Sequence, residues 1–351
     1  MLVPAAERLP SNADYLEHLD AGPDLIRLAS NENTEPPSPR VREALECAYA
    51  DANLYPPPVS PLRRALAERH GVDVNRVLVG AGSTELIDAT LRTFVRPGDE
   101  VVLPRPTWPV FQRRLATLDA RIVEVPLRVG EHAFAYDVDA LVAAITERTK
   151  LMVVCTPNNP TGNSLALDDL RRCAEAAPLV LVDNAYADFD DVDISPILHE
   201  SEHVIVTRTF SKAYCLAGLR VGYAVAAAFV LDYVDRFLVP GTSVSSAALH
   251  AALAALDDDD HHLRQVERIR SERGRLVRAL RDIGRRVFDS HGNFVAVDTR
   301  EGAQAVADAI RGHGIVVRVM DEHLLRIAVG RREENDALVA AFTALRDRAL
   351  R

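Results

Sequence analysis

Short apolar runs alternate with amphipathic segments from about residue 76 onward. Seven runs rich in β-branched residues predict strands: RVLVG, EVVLP, RIVEVP, KLMVVCTP, PLVLVDN, HVIVTRT and RVGYAVA. Helical patterns such as STELIDATLRTF and LDDLRRCAEAA separate most of them. Apolar runs without polar alternation, spaced by helices, are typical of parallel strands buried on both faces. We therefore predict an α/β fold: a mostly parallel seven-stranded sheet with helices on both faces.

The two ends of the chain differ from this central region. The first 35 or so residues are irregular and end in turn formers, LASNENTEPPSP. The last hundred residues mix helical patterns with NFVAVD, GIVVRVM and LLRIAVG. We expect an N-terminal arm or small-domain segment over residues 1–35, a large domain over 36–240 and a small α+β domain over 241–351.

Two polar stretches mark helix starts in this pattern. Ser38-Pro39 combines a capping hydroxyl with proline at the first helical position. The run DDDDHH at 257–262 indicates a polar break or a helix start, and an acidic metal site is the alternative.

Composition and charge narrow the function classes. The chain has 351 residues and a net charge of −10, which argues against binding to nucleic acid or another polyanion. Its four cysteines form no CxxC pair, so a disulfide framework or zinc site is not expected. The N-terminus lacks a signal-peptide pattern, and the longest apolar run, VGYAVAAAFVL, is too short to cross a bilayer. We expect a cytoplasmic protein with no membrane partner.

Polar or glycine-rich residues follow five of the predicted strands. Because ligands bind beyond the carboxyl ends of strands in open α/β sheets, these residues are candidates for one site. The glycine turn GAGSTE, at 80–85, feeds a helix start whose N–H groups could hold a phosphate. The alternative is a tight turn with Ser83 as an ordinary helix cap. The loop TPNNPTG, at 156–162, carries two asparagines that could donate to a ligand.

Asp183 and Lys212 are the two charged candidates at this edge. Asp183 ends an apolar strand, so its carboxylate either caps the next segment or is kept ionised by a cationic partner. Lys212 stands out because the chain uses arginine almost everywhere. Arg220 follows in AGLRVGYAVA, and arginine is suited to clamping phosphate or carboxylate.

Taken in order, these motifs resemble the pyridoxal-phosphate (PLP) enzymes of fold type I. The resemblance is to class I/II aminotransferases, and within them to the histidinol-phosphate aminotransferase branch. It covers nearly the whole chain and rests on an ordered set of segments: SNEN, YPPPVSPLRRALA, GAGSTELI, PTW, PNNPTG, DNAY, TFSKAYCLAGLRVGY, NFVAV and LRIAVG. It implies pyridoxal 5′-phosphate as cofactor.

The resemblance also implies catalytic roles for three residues. Lys212 would form the Schiff base with the cofactor aldehyde and later move a proton between Cα and C4′. Asp183 would pair with the pyridine nitrogen and keep it protonated. Tyr186, with Asn159, would hydrogen-bond the phenolic oxygen of the ring.

Further positions match the cofactor and substrate contacts of the family. Trp108, where the family usually has Phe or Tyr, would stack on the ring. The phosphate would be held by Gly82, Ser83, Ser211 and Arg220, and by Tyr55 of the neighbouring subunit, which implies a homodimer. Arg326 would bind the acidic group of the substrate. The other substrate-side positions would be Arg318, Asn33 and Tyr15.

The reaction implied is transfer of an amino group from a small-molecule donor to a 2-oxo acid such as 2-oxoglutarate. Histidinol phosphate and aromatic amino acids are the donors expected. Asn184, Thr34 and Trp108 depart from the usual family residues and leave the exact substrate open. A decarboxylase, lyase or oxidase on the same fold is the alternative, followed by a non-catalytic regulator.

Overall fold

The seven predicted strands assemble into one sheet. The computed structural model describes residue 22 and residues 24–240, 243–300 and 302–349. The strands in those residues are β1 (Ile26–Arg27), β2 (Val77–Gly80), β3 (Glu100–Arg105), β4 (Arg121–Pro126), β5 (Arg128–Val129), β6 (Phe134–Ala135), β7 (Thr149–Cys155), β8 (Val180–Asp183), β9 (Val204–Thr209), β10 (Gly222–Val225), β11 (Arg286–Phe288), β12 (Phe294–Asp298), β13 (Ile315–Val316), β14 (Arg318–Val319) and β15 (Leu324–Ala328). The large sheet has the order β2-β10-β9-β8-β7-β3-β4. Only β10 runs antiparallel to its neighbours among these strands, so the predicted mostly parallel sheet is confirmed.

Helices cover both faces of this sheet. The α-helices of the described residues are α1 (Pro39–Tyr49), α2 (Ser60–His70), α3 (Ser83–Phe94), α4 (Pro109–Thr117), α5 (Val138–Ala143), α6 (Leu167–Ala176), α7 (Ile197–Glu200), α8 (Ala228–Asp235), α9 (Ser246–Leu256), α10 (Asp259–Asp282), α11 (Ala303–Arg311) and α12 (Arg332–Ala349). Val180 and Val182 of β8 join a core with α2, α6 and α9, whereas Leu181 between them joins a core with α3, α4 and α8. Burial of alternate residues on opposite faces explains the continuous apolar runs. In the described residues, none of the helices combines the length and the apolar character that a bilayer crossing needs.

A smaller antiparallel sheet forms in the C-terminal part of the chain. Its order is β11-β12-β15-β14, and it packs with α10, α11 and α12 around Leu276, Ile310 and Phe342. Strand β1 pairs in parallel with β13, which ties residues near the N-terminus to this part of the fold. The smaller α+β unit is thus confirmed. The exact division at residues 35 and 240 stays a prediction, and α9 shares the core of the large sheet.

Both predicted helix starts are confirmed. The Ser38 hydroxyl accepts the Arg40 N–H at 3.2 Å, and Pro39 is the first residue of α1. The Asp258 carboxylate accepts the His261 N–H at 3.1 Å and caps α10, so the acidic run is a helix start. Among the described residues, no group of three or more His, Cys, Asp or Glu side chains is arranged to hold a metal ion.

Candidate active site

Residues from several strand ends surround one cavity. Its volume is about 280 Å³. Ten residues singled out from the sequence line it: Ser83, Trp108, Asn159, Asp183, Tyr186, Ser211, Lys212, Arg220, Arg318 and Arg326. Six further residues complete the wall: Ser30, Glu32, Thr84, Ala185, Thr209 and Ala217. The carboxyl edge of the large sheet and the β14–β15 pair therefore meet at this cavity.

Lys212 projects from the segment that follows β9 and is held by main-chain oxygens. Its Nζ donates to the carbonyls of Ser30, at 3.2 Å, and Asn31, at 2.9 Å. Burial, together with the nearby Arg326 guanidinium, lowers the pKa of the Lys212 ammonium to about 7. A neutral amine is a nucleophile and a base, so Lys212 is equipped for both roles near neutral pH. The other lysine of the chain, Lys150, is exposed.

Asp183, the last residue of β8, carries a buried carboxyl group. The residue is 4% exposed, and its Oδ1 has no hydrogen-bond partner among the described residues. The Cys155 thiol lies 3.9 Å from Oδ2. Burial raises the pKa of the Asp183 carboxyl to about 6. A buried acceptor without a donor is costly, so Oδ1 is suited to accept a hydrogen bond from a bound molecule.

The turn after β2 and Arg220 together form one end of the cavity, and this end is suited to an anionic ligand. Gly82, rather than Ser83, is the N-cap of α3, with φ +82°. A Cβ on Gly82 would stand 2.6 Å from Nη2 of Arg220, so the guanidinium packs directly against this turn. Nη1 of Arg220 donates to the Ser211 hydroxyl at 3.3 Å. A helix start beside a guanidinium suits a phosphate group.

Two more arginines line the cavity from the small sheet. Arg326 is buried, and its Nη1 donates to Oδ1 of Asn159 at 2.8 Å. Its Nη2 donates to the carbonyl of Ala29. Arg318 of β14 stands directly opposite Arg326 of β15 in the strand register. The cavity therefore has a second region suited to a negatively charged group.

Tyr186 belongs to a small apolar cluster that includes Phe189 and Phe294, and it also lines the cavity. Its ring packs edge-on against Phe294 with centroids 5.0 Å apart, and Nζ of Lys212 is 5.7 Å from its centroid. Nδ2 of Asn31 donates to the Tyr186 hydroxyl at 3.0 Å. Burial raises the pKa of this hydroxyl above its ordinary value, so the group keeps its proton.

Three sequence candidates within the described residues do not line the cavity. Gly82 lies against Arg220, as described above. Asn33 lines a neighbouring groove, where its amide binds Gln265 and Arg268 at 3.3 and 2.7 Å. Tyr55 is 87% exposed on the surface of this subunit. Tyr15 lies outside the described residues. The roles expected for these residues stay predictions.

Sequence reasoning missed Ser30 and Glu32, which line the cavity, and Asn31, which lies between them in the chain. The SNEN motif contains them, but only Asn33 was singled out from it. Asn31 adopts a left-handed backbone conformation, with φ +52°. Asparagine is enriched at such positions, which was the one available signal.

Whether pyridoxal 5′-phosphate fits this cavity can be judged from Oδ1 of Asp183, which has no hydrogen-bond partner among the described residues. A protonated pyridine nitrogen is the donor that this oxygen lacks. The start of α3 with Arg220 suits the phosphate, and Lys212 supplies an amine for the aldehyde. The residues fit the group, and the fold and the site together define a PLP-dependent enzyme of fold type I.

Comparison with known proteins agrees with this class. The chain belongs to the family of class I and II aminotransferases, which it matches over residues 23–342. It is 41% identical to histidinol-phosphate aminotransferase 2 of Caulobacter vibrioides over 91% of this chain and 85% of that protein. It is 34% identical to an aromatic amino acid aminotransferase of Cutibacterium acnes, over 94% and 95%.

Solved structures extend the comparison to the cofactor. The histidinol-phosphate aminotransferase of Sinorhizobium meliloti in complex with pyridoxal 5′-phosphate superposes with a TM-score of 0.89 at 29% identity. The match covers 100% of this chain and 98% of that one. The protein is thus a PLP-dependent aminotransferase. Transamination, rather than decarboxylation, elimination or oxidation, is the chemistry that the family supports.

Proposed function

We propose that this aminotransferase takes the amino group of histidinol phosphate and passes it to a 2-oxo acid such as 2-oxoglutarate. The observation that carries the proposal is the pair of arginines, Arg318 and Arg326, at facing positions in the cavity wall. A phosphate monoester carries nearly two negative charges at neutral pH and three acceptor oxygens. Two guanidinium groups match it better than they match one carboxylate. The Caulobacter relative named for this substrate supports the same choice.

An aromatic amino acid is the second candidate donor. Arg326 alone, beside Asn159, could hold an α-carboxylate, and Trp108 provides an aromatic surface in the same wall. The Cutibacterium relative is named for this substrate class. The two candidates differ in the anionic group that the arginines receive.

The roles that we propose for the chain follow from its contacts. When bound, pyridoxal 5′-phosphate supplies an aldehyde that captures the substrate amine and a ring that withdraws electrons from Cα. Lys212, as a neutral amine, would take the Cα proton of the substrate and move it to C4′ of the cofactor. Asp183 accepts the ring N–H. Tyr186 and Nδ2 of Asn159 donate to the ring oxygen, because Oδ1 of Asn159 is engaged by Arg326.

The remaining contacts in the proposal hold the cofactor in place. Trp108, which lines the cavity, would stack on the ring. The phosphate is bound by the start of α3 at Gly82 and Ser83, by Ser211 and by Arg220.

Borohydride reduction tests the role of Lys212. Reduction of the loaded enzyme should fix the cofactor on Lys212, and mass spectrometry should find it on the peptide that contains this residue. Lys212→Ala should lose the fixed cofactor. Lys150→Ala is the matched control, because it removes the only other lysine, which is exposed. Fixation on Lys150, or undiminished fixation in Lys212→Ala, would remove Lys212 from the mechanism.

Stopped-flow half-reactions test the donor. Histidinol phosphate should convert the bound cofactor to its amine form with a higher kcat/KM than histidinol, which lacks only the phosphate, or phenylalanine. Arg318→Gln should lower kcat/KM for histidinol phosphate by roughly 10- to 100-fold, the loss of one charge-assisted contact. The same variant should change the phenylalanine reaction little. Faster conversion by phenylalanine than by histidinol phosphate would favour the second candidate.

The proposal includes a cytoplasmic homodimer with shared sites, as expected from the sequence. Exposed apolar side chains support a partner surface around Tyr55, because Tyr49 and Leu54 are also 82% and 61% exposed. Mixing inactive Tyr55→Ala with inactive Lys212→Ala subunits tests it. If each site takes Tyr55 from the partner, random mixing should restore about a quarter of wild-type activity, since half the dimers contain one intact site. A mixture that stays inactive would contradict shared sites.

A further inference from the structure

Asn31 contacts two candidate catalytic groups at once. Its side-chain Nδ2 donates to the Tyr186 hydroxyl at 3.0 Å. Its main-chain carbonyl accepts Nζ of Lys212 at 2.9 Å. The residue is 1% exposed, so water does not compete for these contacts.

The direction of the side-chain hydrogen bond fixes where the Tyr186 proton can go. A phenolic hydroxyl has one proton to donate and lone pairs that accept. The Asn31 amide fills an acceptor position, which leaves the hydroxyl proton available for another acceptor. Tyr186 lines the cavity, and burial raises its pKa, so the proton is present and can point into the site.

The surrounding contacts hold Asn31 in this pose. Nδ2 of Asn293, a residue with no exposed surface, donates to the Asn31 carbonyl at 3.0 Å. The backbone of Asn31 has φ +52°, which asparagine, aspartate and glycine tolerate better than other residues. The amide therefore reaches Tyr186 from a fixed backbone.

We propose that Asn31 is a positioning residue that keeps the hydroxyl proton of Tyr186 directed at the cofactor ring. The proposal rests on the role of Tyr186 at the ring oxygen, which belongs to the proposed function. Asn31 itself acts only through Tyr186. A donor at position 31 is required, because an acceptor there would draw the Tyr186 proton away from the cavity.

Two substitutions separate this role from simple space filling. Asn31→Asp is nearly isosteric but turns the donor into an acceptor. Asn31→Gly removes the side chain and suits the positive φ. If Asn31 only fills space, the effect of Asp is the direct effect of its buried charge, which does not depend on the Tyr186 hydroxyl. If it directs the proton, Asp is the more damaging one.

The measurement is the pH midpoint of the visible absorption change of the bound cofactor without substrate. A proton donated to the ring oxygen stabilises negative charge there, so its withdrawal should raise the midpoint. We expect a rise of about one pH unit for Asn31→Asp, comparable to one lost hydrogen bond, and a smaller rise for Asn31→Gly. In a Tyr186→Phe background, the two variants should have the same midpoint.

Three outcomes would overturn the proposal. Asn31→Gly could shift the midpoint as much as Asn31→Asp, or the Asp shift could persist in the Tyr186→Phe background as a direct charge effect. Tyr186→Phe alone could leave the midpoint unchanged, which would also remove Tyr186 from the ring oxygen. None of these outcomes bears on the proposal that histidinol phosphate is the amino donor, which the half-reactions with different donors test separately.

Discussion

Asp183→Asn should stabilise the cofactor-free enzyme at neutral pH although it disables the loaded one. Without the cofactor, the ionised carboxylate is buried and its Oδ1 has no hydrogen-bond partner among the described residues. Asparagine has nearly the shape of the protonated carboxyl group and cannot ionise. In the loaded enzyme the same change removes the acceptor of the ring N–H, and we expect kcat to fall by at least about 100-fold.

The pKa of Asp183 sets the size and the pH window of this stabilisation. Burial raises it from the ordinary 3.8 to about 6. A raised carboxyl pKa means that stability is fully present below pH 3.8 and is lost as the pH rises through 6. At about 1.4 kcal/mol per unit, the loss of unfolding free energy reaches ~3 kcal/mol at pH 8 and about half of that at pH 5. The variant should recover these amounts.

Urea denaturation of the cofactor-free proteins at pH 5 and pH 8 measures the difference in unfolding free energy between Asp183→Asn and the wild type. Trp108 is the only tryptophan and lines the site, so its fluorescence follows unfolding there. Asp190→Asn is the matched control. Although burial opposes ionisation, the His291 imidazole, with Nδ1 3.0 Å from Oδ1, and the Ser164 hydroxyl, which donates to Oδ2 at 2.6 Å, lower the pKa of Asp190, so its replacement should destabilise. Equal destabilisation by Asp183→Asn at both pH values would refute the reasoning.

Two further predictions concern the phosphate turn and the lysine. Gly82→Ala should weaken cofactor binding about 10- to 100-fold, because the new Cβ would stand 2.6 Å from the Arg220 guanidinium. Gly98→Ala, with a similar φ of +85° but open space, should leave affinity unchanged in a fluorescence titration; equal effects would point to backbone strain alone. Acetic anhydride should label Lys212 of the cofactor-free enzyme half-maximally near pH 7, where its lowered pKa frees the amine. Mass spectrometry can follow the labelling of Lys212, with the exposed Lys150 as the reference. Labelling of Lys212 that begins only near pH 10 would contradict the lowered pKa.

The sequence predicted the elements whose residues are marked by local pattern. Mostly apolar runs of four to seven residues became the seven strands of the large sheet. Except at the edge strand β4, these strands are largely buried, and strands buried on both faces need no polar alternation. The rule that ligands bind at the carboxyl edge then brought Asp183, Asn159 and Lys212 to one place. The family resemblance, rather than the pattern, assigned chemistry to each of them.

Contacts that depend on long-range pairing could not be predicted in this way. Strand β1 has two residues, and its pairing with β13, together with hydrogen bonds from Ala328 and Arg326 to the residues that follow it, brings Ser30 and Glu32 to the cavity wall. Likewise, the facing positions of Arg318 and Arg326 come from the register of β14 and β15, whose shorter strand has two residues. Periodicity over so few residues carries no information on partner or register.

The segment Leu28–Asn31 shows most clearly why such contacts cannot be predicted from the sequence. All four of its carbonyls accept hydrogen bonds. The Leu28 carbonyl accepts from the Ala328 N–H and the Ala29 carbonyl from Arg326. The carbonyls of Ser30 and Asn31 accept from Lys212. Every residue has a carbonyl, so no residue type marks these acceptors, and only the path of the chain places them. Their chemistry nevertheless matters, because neutral carbonyl dipoles stabilise a buried ammonium less than a carboxylate partner would. Among the described residues, Lys212 is thus anchored without a directly bound anion, and its pKa, which burial lowers, stays near 7, where the amine can become neutral for catalysis.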